Sequence, residues 1–268
     1  FDHRHMHPRR PDVALLHRCS VKFGQNRSAV EVYIPDRAAL FRAVRDKFGK
    51  GRGFALATLN LDHLTKLPTD PAFAAAYRAQ DLVVADGRPV VWLSQLARQP
   101  LELLPGSDLV IPLSELAAEM QMPVALFGSS DAALAGAKAA LEARVPQINI
   151  VLTHAPAYGF DPAGVDAARI CEMLNASGAR LCFIALGAPK QELFAAFARS
   201  RAPAVGFASI GAGLDFLSGH QVRAPKVMRM LALEWFWRAL QSPRRMIPRY
   251  AKCFAILPRL TLDAWRQR

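Results

Sequence analysis

The fold class follows from one segment of the chain, Arg180-Leu-Cys-Phe-Ile-Ala-Leu-Gly-Ala-Pro-Lys-Gln-Glu192. Residues 181–186 form a continuous apolar run of strand length, which is typical of a strand buried on both faces of a parallel sheet. Gly187 and Pro189 end this strand, and the polar residues 190–192 open an amphipathic helical pattern. In open α/β sheets, ligands bind where strands end and helices begin. The segment therefore predicts a central strand that leads into a ligand-binding edge.

The rest of the chain repeats this order of strand followed by helix. Apolar runs predict further strands at 54–58, 81–85, 124–127, 148–152 and 204–207. Helical spacing predicts helices at 37–48, 73–77, 89–96, 109–120, 132–143, 165–174 and 226–241. Weak alternation within 20–33 predicts a small hairpin. We therefore predict an α/β protein with a parallel sheet of about six strands flanked by helices.

Charge is distributed unevenly along the 268-residue chain, whose formal net charge is +12. Residues 1–53 carry +7, residues 54–217 carry −4 and residues 218–268 carry +9. Basic ends around a slightly acidic centre predict a polyanionic partner: a nucleic acid, an anionic membrane surface or a phosphorylated substrate. We accordingly divide the chain into an N-terminal segment (1–53), an α/β core (54–218) and a basic C-terminal appendage (219–268).

The appendage combines aromatic and basic residues. Its predicted helix, 226–241, has apolar residues around much of its circumference. Arg244, Arg245 and Arg249 follow a break at Pro243. Tryptophan and tyrosine beside clustered arginine are typical of an element at a membrane interface. The alternative is a helical appendage that packs on its own core and leaves its arginines exposed.

Composition also bears on the cellular compartment. With 52% hydrophobic and 21% charged residues, the chain has enough apolar residues for a full core. No apolar run reaches the ~18 residues that span a bilayer, and the first ten residues lack the apolar centre of a signal peptide. The four cysteines have neither zinc-site spacing nor the pattern of a small disulfide framework. These features predict a cytoplasmic protein with reduced thiols.

Polar side chains collect where three predicted strands end. Asp86 ends one strand, Thr58 and Asn60 end its neighbour, and Lys190 and Gln191 follow the central strand. A carboxylate there can act as a general base, hydroxyl and amide groups can bind a sugar or a base, and a cation beside helix N-terminal amides suits a phosphate. Taken singly, each position has a structural alternative, namely a turn at Asp86 and a solvated helix start at Lys190. Together they predict one polar crevice.

Two other kinds of site are not favoured. His154 and Asp161 have metal-binding side chains, but no second histidine stands at ligand spacing, so we predict no metal site. Gly211-Ala-Gly213 has two glycines of a dinucleotide-binding fingerprint, but Phe216 occupies the position of the third. The sequence therefore argues against a nicotinamide-dependent dehydrogenase.

Six motifs between residues 30 and 252 resemble those of the WecG/TagA/CpsF glycosyltransferases. They are Thr58-Leu-Asn60, Ala85-Asp86-Gly87, Leu186-Gly-Ala-Pro-Lys-Gln-Glu192, Gly211-Ala-Gly-Leu-Asp-Phe-Leu-Ser-Gly219, Arg223-Ala-Pro225, and Glu234-Trp235 followed by Arg238, Pro243 and Arg245. The resemblance implies a Rossmann-like parallel sheet and a bacterial enzyme of cell-envelope or exopolysaccharide synthesis. Such an enzyme transfers a sugar from a UDP-sugar to a polyprenyl-diphosphate-linked saccharide. The resemblance further implies inverting transfer without a metal or other cofactor.

The same resemblance implies roles for the residues of the crevice. Asp86 becomes the candidate catalytic base that deprotonates the acceptor hydroxyl. Thr58, Asn60 and Gln191 are expected to bind the donor or acceptor sugar. Lys190 is expected to bind the substrate from the start of its helix.

The appendage receives the remaining expected contacts. Arg238, Arg245 and Arg249 are expected to neutralise charge on diphosphate groups, because without a metal fixed cations must stabilise the departing diphosphate. The expected partners are a UDP-sugar, a lipid-linked acceptor and an anionic membrane surface, and not nucleic acid. The expected location is cytoplasmic, peripheral on the inner face of the bacterial cytoplasmic membrane. Two alternatives stay open: a non-catalytic membrane-docked protein and a nucleic-acid-binding basic protein.

Overall fold

The computed structural model describes residues 20–24, 28–221, 228 and 234–268. The strands within these residues are β1 Val21–Phe23, β2 Val30–Val32, β3 Phe54–Leu59, β4 Leu82–Ala85, β5 Val124–Gly128, β6 Ile150–His154, β7 Leu181–Ala185 and β8 Gly206–Ser209. The helices are α1 Arg37–Gly49, α2 Leu61–Lys66, α3 Pro71–Arg78, α4 Arg88–Leu96, α5 Gly106–Glu119, α6 Asp131–Arg144, α7 Val165–Ala176, α8 Lys190–Arg201, α9 Gly213–Leu217, α10 Glu234–Gln241 and α11 Pro243–Trp265.

Six strands form one parallel sheet in the order β4-β3-β8-β7-β5-β6. The predicted central strand is confirmed: β7 pairs with β8 on one side and β5 on the other, and all five of its residues are buried. Connections leave β5 toward β6 and leave β7 toward β8, in opposite directions. The carboxyl ends of β5 and β7 are therefore a topological switch point, where α/β sheets bind ligands.

Helices cover both faces of the sheet, because side chains of successive strand residues point to opposite faces. On one face, Phe54 and Leu56 of β3 belong to an apolar cluster shared with α1, α5 and α6. On the other face, α7 and α8 share a cluster with β5, β7 and β8, and α2, α3, α4 and α11 share a cluster with β3 and β4. The predicted class, an α/β protein with a six-strand parallel sheet between helices, is confirmed.

Several elements differ from the sequence prediction: α2, α9 and α11 were not predicted, and β6 and β8 are each displaced by two residues. The strand predicted at 148–152 is β6, Ile150–His154, because its pairing with β5 runs to His154 opposite Phe127. The short helix α2 was not predicted. It begins after Asn60, whose side-chain oxygen accepts a hydrogen bond from the His63 amide, and such a cap stabilises a helix start by about 1 kcal/mol.

The N-terminal part of the chain packs into the same clusters as the core. The predicted hairpin is the antiparallel pair β1–β2, and Val21 and Val32 lie in the cluster that also holds Cys253 and Leu260 of α11. Leu40 of α1 packs in the cluster of β3. The division into three units stays a prediction, and residues 1–19 lie outside the described part.

Of the C-terminal appendage, the structure describes residues 219–221, 228 and 234–268. The predicted helix 226–241 lies mainly outside the described residues, and its described end is α10. Ser242 separates α10 from α11, which continues through Pro248 and Pro258 to Trp265. No helix in the described part of the chain is both long enough and apolar enough to cross a membrane. Cys171, Cys182 and Cys253 are buried free thiols, and Cys19 is outside the described residues.

Candidate active site

Asp86 lies at the carboxyl edge of the sheet. Its backbone amide donates a hydrogen bond of 2.7 Å to the carbonyl of Leu59, so the backbone pairing of β4 with β3 extends to this residue. Gly87 follows with φ +92, a left-handed conformation that favours glycine, and α4 then begins at Arg88. This strand-turn-helix junction leaves Asp86 half-buried at the edge.

Thr58 and Asn60 approach the same carboxylate oxygen. The Thr58 hydroxyl lies 3.5 Å from Asp86 Oδ2, and the Asn60 Nδ2 lies 3.4 Å from it. Both contacts are long for hydrogen bonds, so neither is a strong tie in this state. Asn60 is oriented independently, because its Oδ1 caps α2. The predicted grouping of these three side chains on neighbouring strand ends agrees with the geometry.

A buried polar layer supports β3 beneath this group. The Tyr77 hydroxyl donates to the Thr58 carbonyl at 2.9 Å, and it lies 2.7 Å from His63 Nδ1. Burial lowers the pKa of His63 to about 3 and raises the pKa of Tyr77 well above its usual range, so both groups are neutral. Because the Tyr77 proton goes to Thr58, the His63 ring donates from Nδ1. Sequence reasoning missed both residues, and the Asn60-x-x-His63 cap spacing was the only local signal.

Gln191 and Glu192 turn inward at the start of α8. Gln191 is 2% exposed, its Oε1 accepts from the Gly211 amide at 3.1 Å, and its Nε2 donates to Glu192 Oε1 at 2.8 Å. Glu192 is fully buried, and burial raises its pKa to about 7. Gln191 thus ties the β7–α8 turn to the β8–α9 turn. Its predicted contact with a sugar stays a prediction.

Lys190 instead lines a cavity of about 400 Å³. The cavity lies at the switch point between β5 and β7, and its lining consists of Ser129, Pro156, Ala157, Tyr158, Gly159, Phe160, Ala185, Leu186 and Lys190. Tyr158 is fully exposed at its rim. Gly128 allows the close approach of the two strands here, since a side chain would place its Cβ 2.5 Å from the Ala185 carbonyl oxygen. Sequence reasoning missed every lining residue except Lys190.

Ser129 connects the cavity to the α9 region. Its hydroxyl donates to Asp215 Oδ1, and the other Asp215 oxygen accepts from Gln221 Nε2 at 3.0 Å. Asp215 therefore links the wall of the cavity to Gln221, near the start of the appendage, in one hydrogen-bonded group. No local sequence pattern predicts contact between residues so far apart in the chain.

The three predicted arginines of the appendage are described to different extents. Arg238 lies on α10 and Arg245 on α11, and their side chains are outside the described part. Arg249 Nε lies 2.8 Å from Asp62 Oδ1 on α2. In this state Arg249 forms a protein ion pair, and its predicted diphosphate contact stays a prediction. In the described ranges, no group of three or more His, Cys, Asp and Glu residues is arranged to hold a metal ion.

The carboxyl edge thus offers a carboxylate with polar neighbours at one end and a cavity with a lysine at the other. Such an arrangement suits a substrate that is anionic at one end and reacts at the other. The family model described as the glycosyl transferase WecG/TagA/CpsF family matches residues 28–268. The match covers nearly the whole chain and includes all of the site residues named above. The chain therefore belongs to the WecG/TagA/CpsF glycosyltransferases, a family of enzymes of cell-envelope polysaccharide synthesis.

Proposed function

We propose that the protein transfers a sugar from a UDP-sugar to a saccharide carried on polyprenyl diphosphate, with inversion at the anomeric carbon. The observation that carries this proposal is the position of Asp86 beside Thr58 and Asn60, on the same edge of the sheet as the cavity. The UDP donor and the lipid-linked acceptor come from the resemblance of the motifs to the family.

The two ends of the edge are separated by a distance that suits a nucleotide sugar. Three strand spacings separate β4 from β7, which is about 14 Å across the sheet. We place the nucleoside in the cavity, where Tyr158 and Phe160 offer aromatic surface to a base. The diphosphate then runs past Lys190 and the N-terminus of α8, and the sugar extends over β8 and β3 toward Asp86.

The reaction is one displacement. The Asp86 carboxylate removes the proton from the acceptor hydroxyl, and the hydroxyl oxygen bonds to the anomeric carbon from the face opposite UDP. The bond between the anomeric carbon and the diphosphate oxygen breaks in the same step, and UDP leaves with the electron pair. Thr58 and Asn60 lie close to the Asp86 carboxylate, so they are positioned to bind the sugar that reacts beside it. Attack from the opposite face inverts the anomeric configuration.

The departing diphosphate needs positive charge beside it. Lys190 supplies a cation at the cavity, and it is the first residue of α8, whose N-terminal end favours an anion. Arg238 and Arg245 are proposed to add charge from the appendage when the substrate is bound. These fixed cations are proposed to stabilise the departing diphosphate, which in other transferases is the role of a divalent metal ion.

An apolar stripe on α11 supports docking to an anionic membrane surface. Ile247, Phe254 and Trp265 are each half-exposed or more, and spacings of 7 and 11 residues place them on one side of the helix. Arg244, Lys252 and Arg259 are exposed along the same helix, and Arg266 is exposed directly after it. An apolar stripe with basic neighbours is the pattern of a helix that lies in the membrane interface. We propose that this stripe brings the active site to its lipid-linked acceptor.

A transfer assay tests the reaction. Purified protein is mixed with a panel of radiolabelled UDP-sugars and with polyprenyl-diphosphate saccharides in anionic vesicles, with and without EDTA. The proposal predicts label in the lipid fraction for one donor, unchanged by EDTA, in a product of inverted configuration. Lack of transfer from every UDP-sugar, together with salt-sensitive binding to DNA, supports the nucleic-acid-binding alternative instead.

Removing the stripe tests membrane docking. The double substitution Ile247→Ser with Trp265→Ser is expected to lower the fraction bound to anionic vesicles about tenfold, because the apolar area available to the bilayer falls. Val165→Ser is the matched control, since Val165 is an exposed apolar residue on α7. Sedimentation with vesicles provides the measurement. Equal binding of the wild type and the double variant would contradict the docking proposal.

A further inference from the structure

Helices α2 and α11 are joined by a three-residue charge group. Arg249 Nε lies 2.8 Å from Asp62 Oδ1, and Lys66 Nζ lies 2.7 Å from Asp62 Oδ2. The side chain of Asp62 is only 10% exposed, and that of Arg249 is 34% exposed. Lys66 belongs to the same helix as Asp62, whereas Arg249 belongs to the appendage. One of the two cations therefore reaches Asp62 only while α11 is docked.

Asp62 is charged in spite of its burial. Burial alone would raise its pKa, but the Lys66 hydrogen bond and the Arg249 and Lys66 charges outweigh burial and hold the pKa below its usual range. A charged carboxylate in a buried position is costly unless cations pair with it. Loss of Arg249 therefore leaves Oδ1 of a buried carboxylate without its cation. The helix that carries Asp62 then loses part of what holds it in place.

Helix α2 depends on its neighbours for its position. Six residues are too few for a helix to be stable on its own. Leu61 and Leu64 of α2 pack in the same apolar cluster as Cys253 and Leu260 of α11. The appendage helix thus supplies both apolar contact and charge to α2.

The first turn of α2 is also next to the candidate base. Asn60 caps α2 through the His63 amide, and its Nδ2 lies 3.4 Å from Asp86 Oδ2. Asp62 stands two residues after Asn60 in the same turn. A shift of this turn moves Asn60 and removes one contact of the Asp86 carboxylate.

We propose that Arg249 and Asp62 are positioning residues: their ion pair docks α11 on α2 and thereby fixes Asn60 against Asp86. In this role Arg249 acts through the protein and does not touch the substrate diphosphate. The proposal rests on the proposed function in one respect, which is that Asp86 is the base. The appendage then contributes to catalysis by setting the geometry of the core.

A double-mutant cycle tests this role. Asp62→Asn and Arg249→Gln are each expected to lower kcat about tenfold, with KM for the lipid-linked acceptor changed less than about twofold. The double variant is expected to be no slower than the slower single variant, because both substitutions remove one interaction. Arg249→Lys keeps the charge and is expected to recover most of kcat. Arg45→Gln is the matched control, since Arg45 is a half-exposed arginine of α1 that pairs with Glu119 of α5, away from the candidate site and from α11.

A direct contact with the substrate gives the opposite pattern. Arg249→Gln then raises KM for the acceptor, Asp62→Asn leaves KM and kcat unchanged, and the effects in the double variant simply combine. That result would overturn the positioning role and support the diphosphate contact.

Hydrogen exchange provides a readout that does not require activity. The His63 amide donates to Asn60 Oδ1, so its exchange reports directly on the cap of α2. Exchange of this amide is expected to be about tenfold faster in Arg249→Gln and in Asp62→Asn and unchanged in Arg45→Gln. Unchanged exchange in the first two variants would overturn the proposal. If the wild type transfers no sugar but these exchange rates change as expected, the docking stands and the proposed function fails.

Discussion

The two ends of the carboxyl edge are built differently. At the Asp86 end, side-chain hydrogen bonds position the polar groups. Asn60 caps α2 and its Nδ2 lies 3.4 Å from Asp86 Oδ2, and the Tyr77 hydroxyl donates to the Thr58 carbonyl. At the cavity end, the lining consists mostly of apolar side chains and backbone atoms, and the Tyr158 side chain is fully exposed to solvent. Proton transfer needs fixed distances, whereas a nucleotide needs space and a few polar contacts. The difference agrees with the proposal that chemistry takes place at one end and nucleotide binding at the other.

The largest effect is expected from removing the proposed base at the Asp86 end. Asp86→Asn keeps the size of the side chain but cannot accept the acceptor proton, so turnover is expected to fall by about 10²–10⁴-fold. UDP affinity is expected to stay within about twofold, since the cavity is about three strand spacings away. Steady-state kinetics and calorimetry provide the measurements.

Asp46→Asn is the control for this substitution, because Asp46 is exposed on α1 and pairs only with Lys50 across one helical turn in the described contacts. Its turnover is expected to equal that of the wild type. Unchanged turnover in Asp86→Asn would place the base elsewhere.

Glu192→Gln tests how the buried Glu192 carboxyl makes the free energy of unfolding depend on pH. The pKa of Glu192 is raised from 4.5 to about 7 in the folded protein, so the folded state retains a proton that the unfolded chain releases. The stabilisation is complete below about pH 4.5 and is lost as pH rises through about 7. Between pH 5 and pH 8 the wild type is expected to lose about 2 kcal/mol from this group, and Glu192→Gln is expected to remove that slope.

Urea unfolding at four pH values measures this effect. Glu142→Gln serves as the control, since Glu142 is half-exposed on α6. This substitution is expected to leave the dependence of the unfolding free energy on pH as it is in the wild type. Parallel pH profiles for the wild type and Glu192→Gln would show that the buried carboxyl does not titrate in this range.

Lys190→Gln tests the cavity end and has the smallest expected effect. Loss of the cation is expected to weaken UDP binding about tenfold, because a charge-assisted contact to the diphosphate is removed. Turnover at saturating donor is expected to change less than the affinity. Lys138→Gln on α6 is the matched control. A larger loss of turnover than of affinity would mean that the two ends do not act separately.

Much of the sheet could be predicted from the sequence because each strand is an apolar run between breaks. The grouping of Asp86 with Thr58 and Asn60 was also predictable, since parallel strands bring their carboxyl ends to one edge. The limits of β6 were wrong by two residues because Thr153 and His154 are polar and extend the strand only through pairing with β5. The local sequence pattern carries no information about the pairing of β6 with β5.

The rest of the site depends on contacts between distant elements. His63 and Tyr77 support Thr58 from helices whose packing no local spacing indicates. The cavity is formed mainly by loops, and loops carry little apolar periodicity. For α11, the inward side could have been recognised, because Met246, Cys253 and Leu260 recur every seven residues.

We have proposed that UDP binds in the cavity between β5 and β7 while Asp86 acts at the other end of the edge. A crystal structure of the protein with UDP is the decisive measurement. We expect uracil against Tyr158 and Phe160, the diphosphate within hydrogen-bond distance of Lys190, and no part of the nucleotide in contact with Asp86. Uracil bound beside Asp86 and Asn60, with the cavity free of nucleotide, would contradict it.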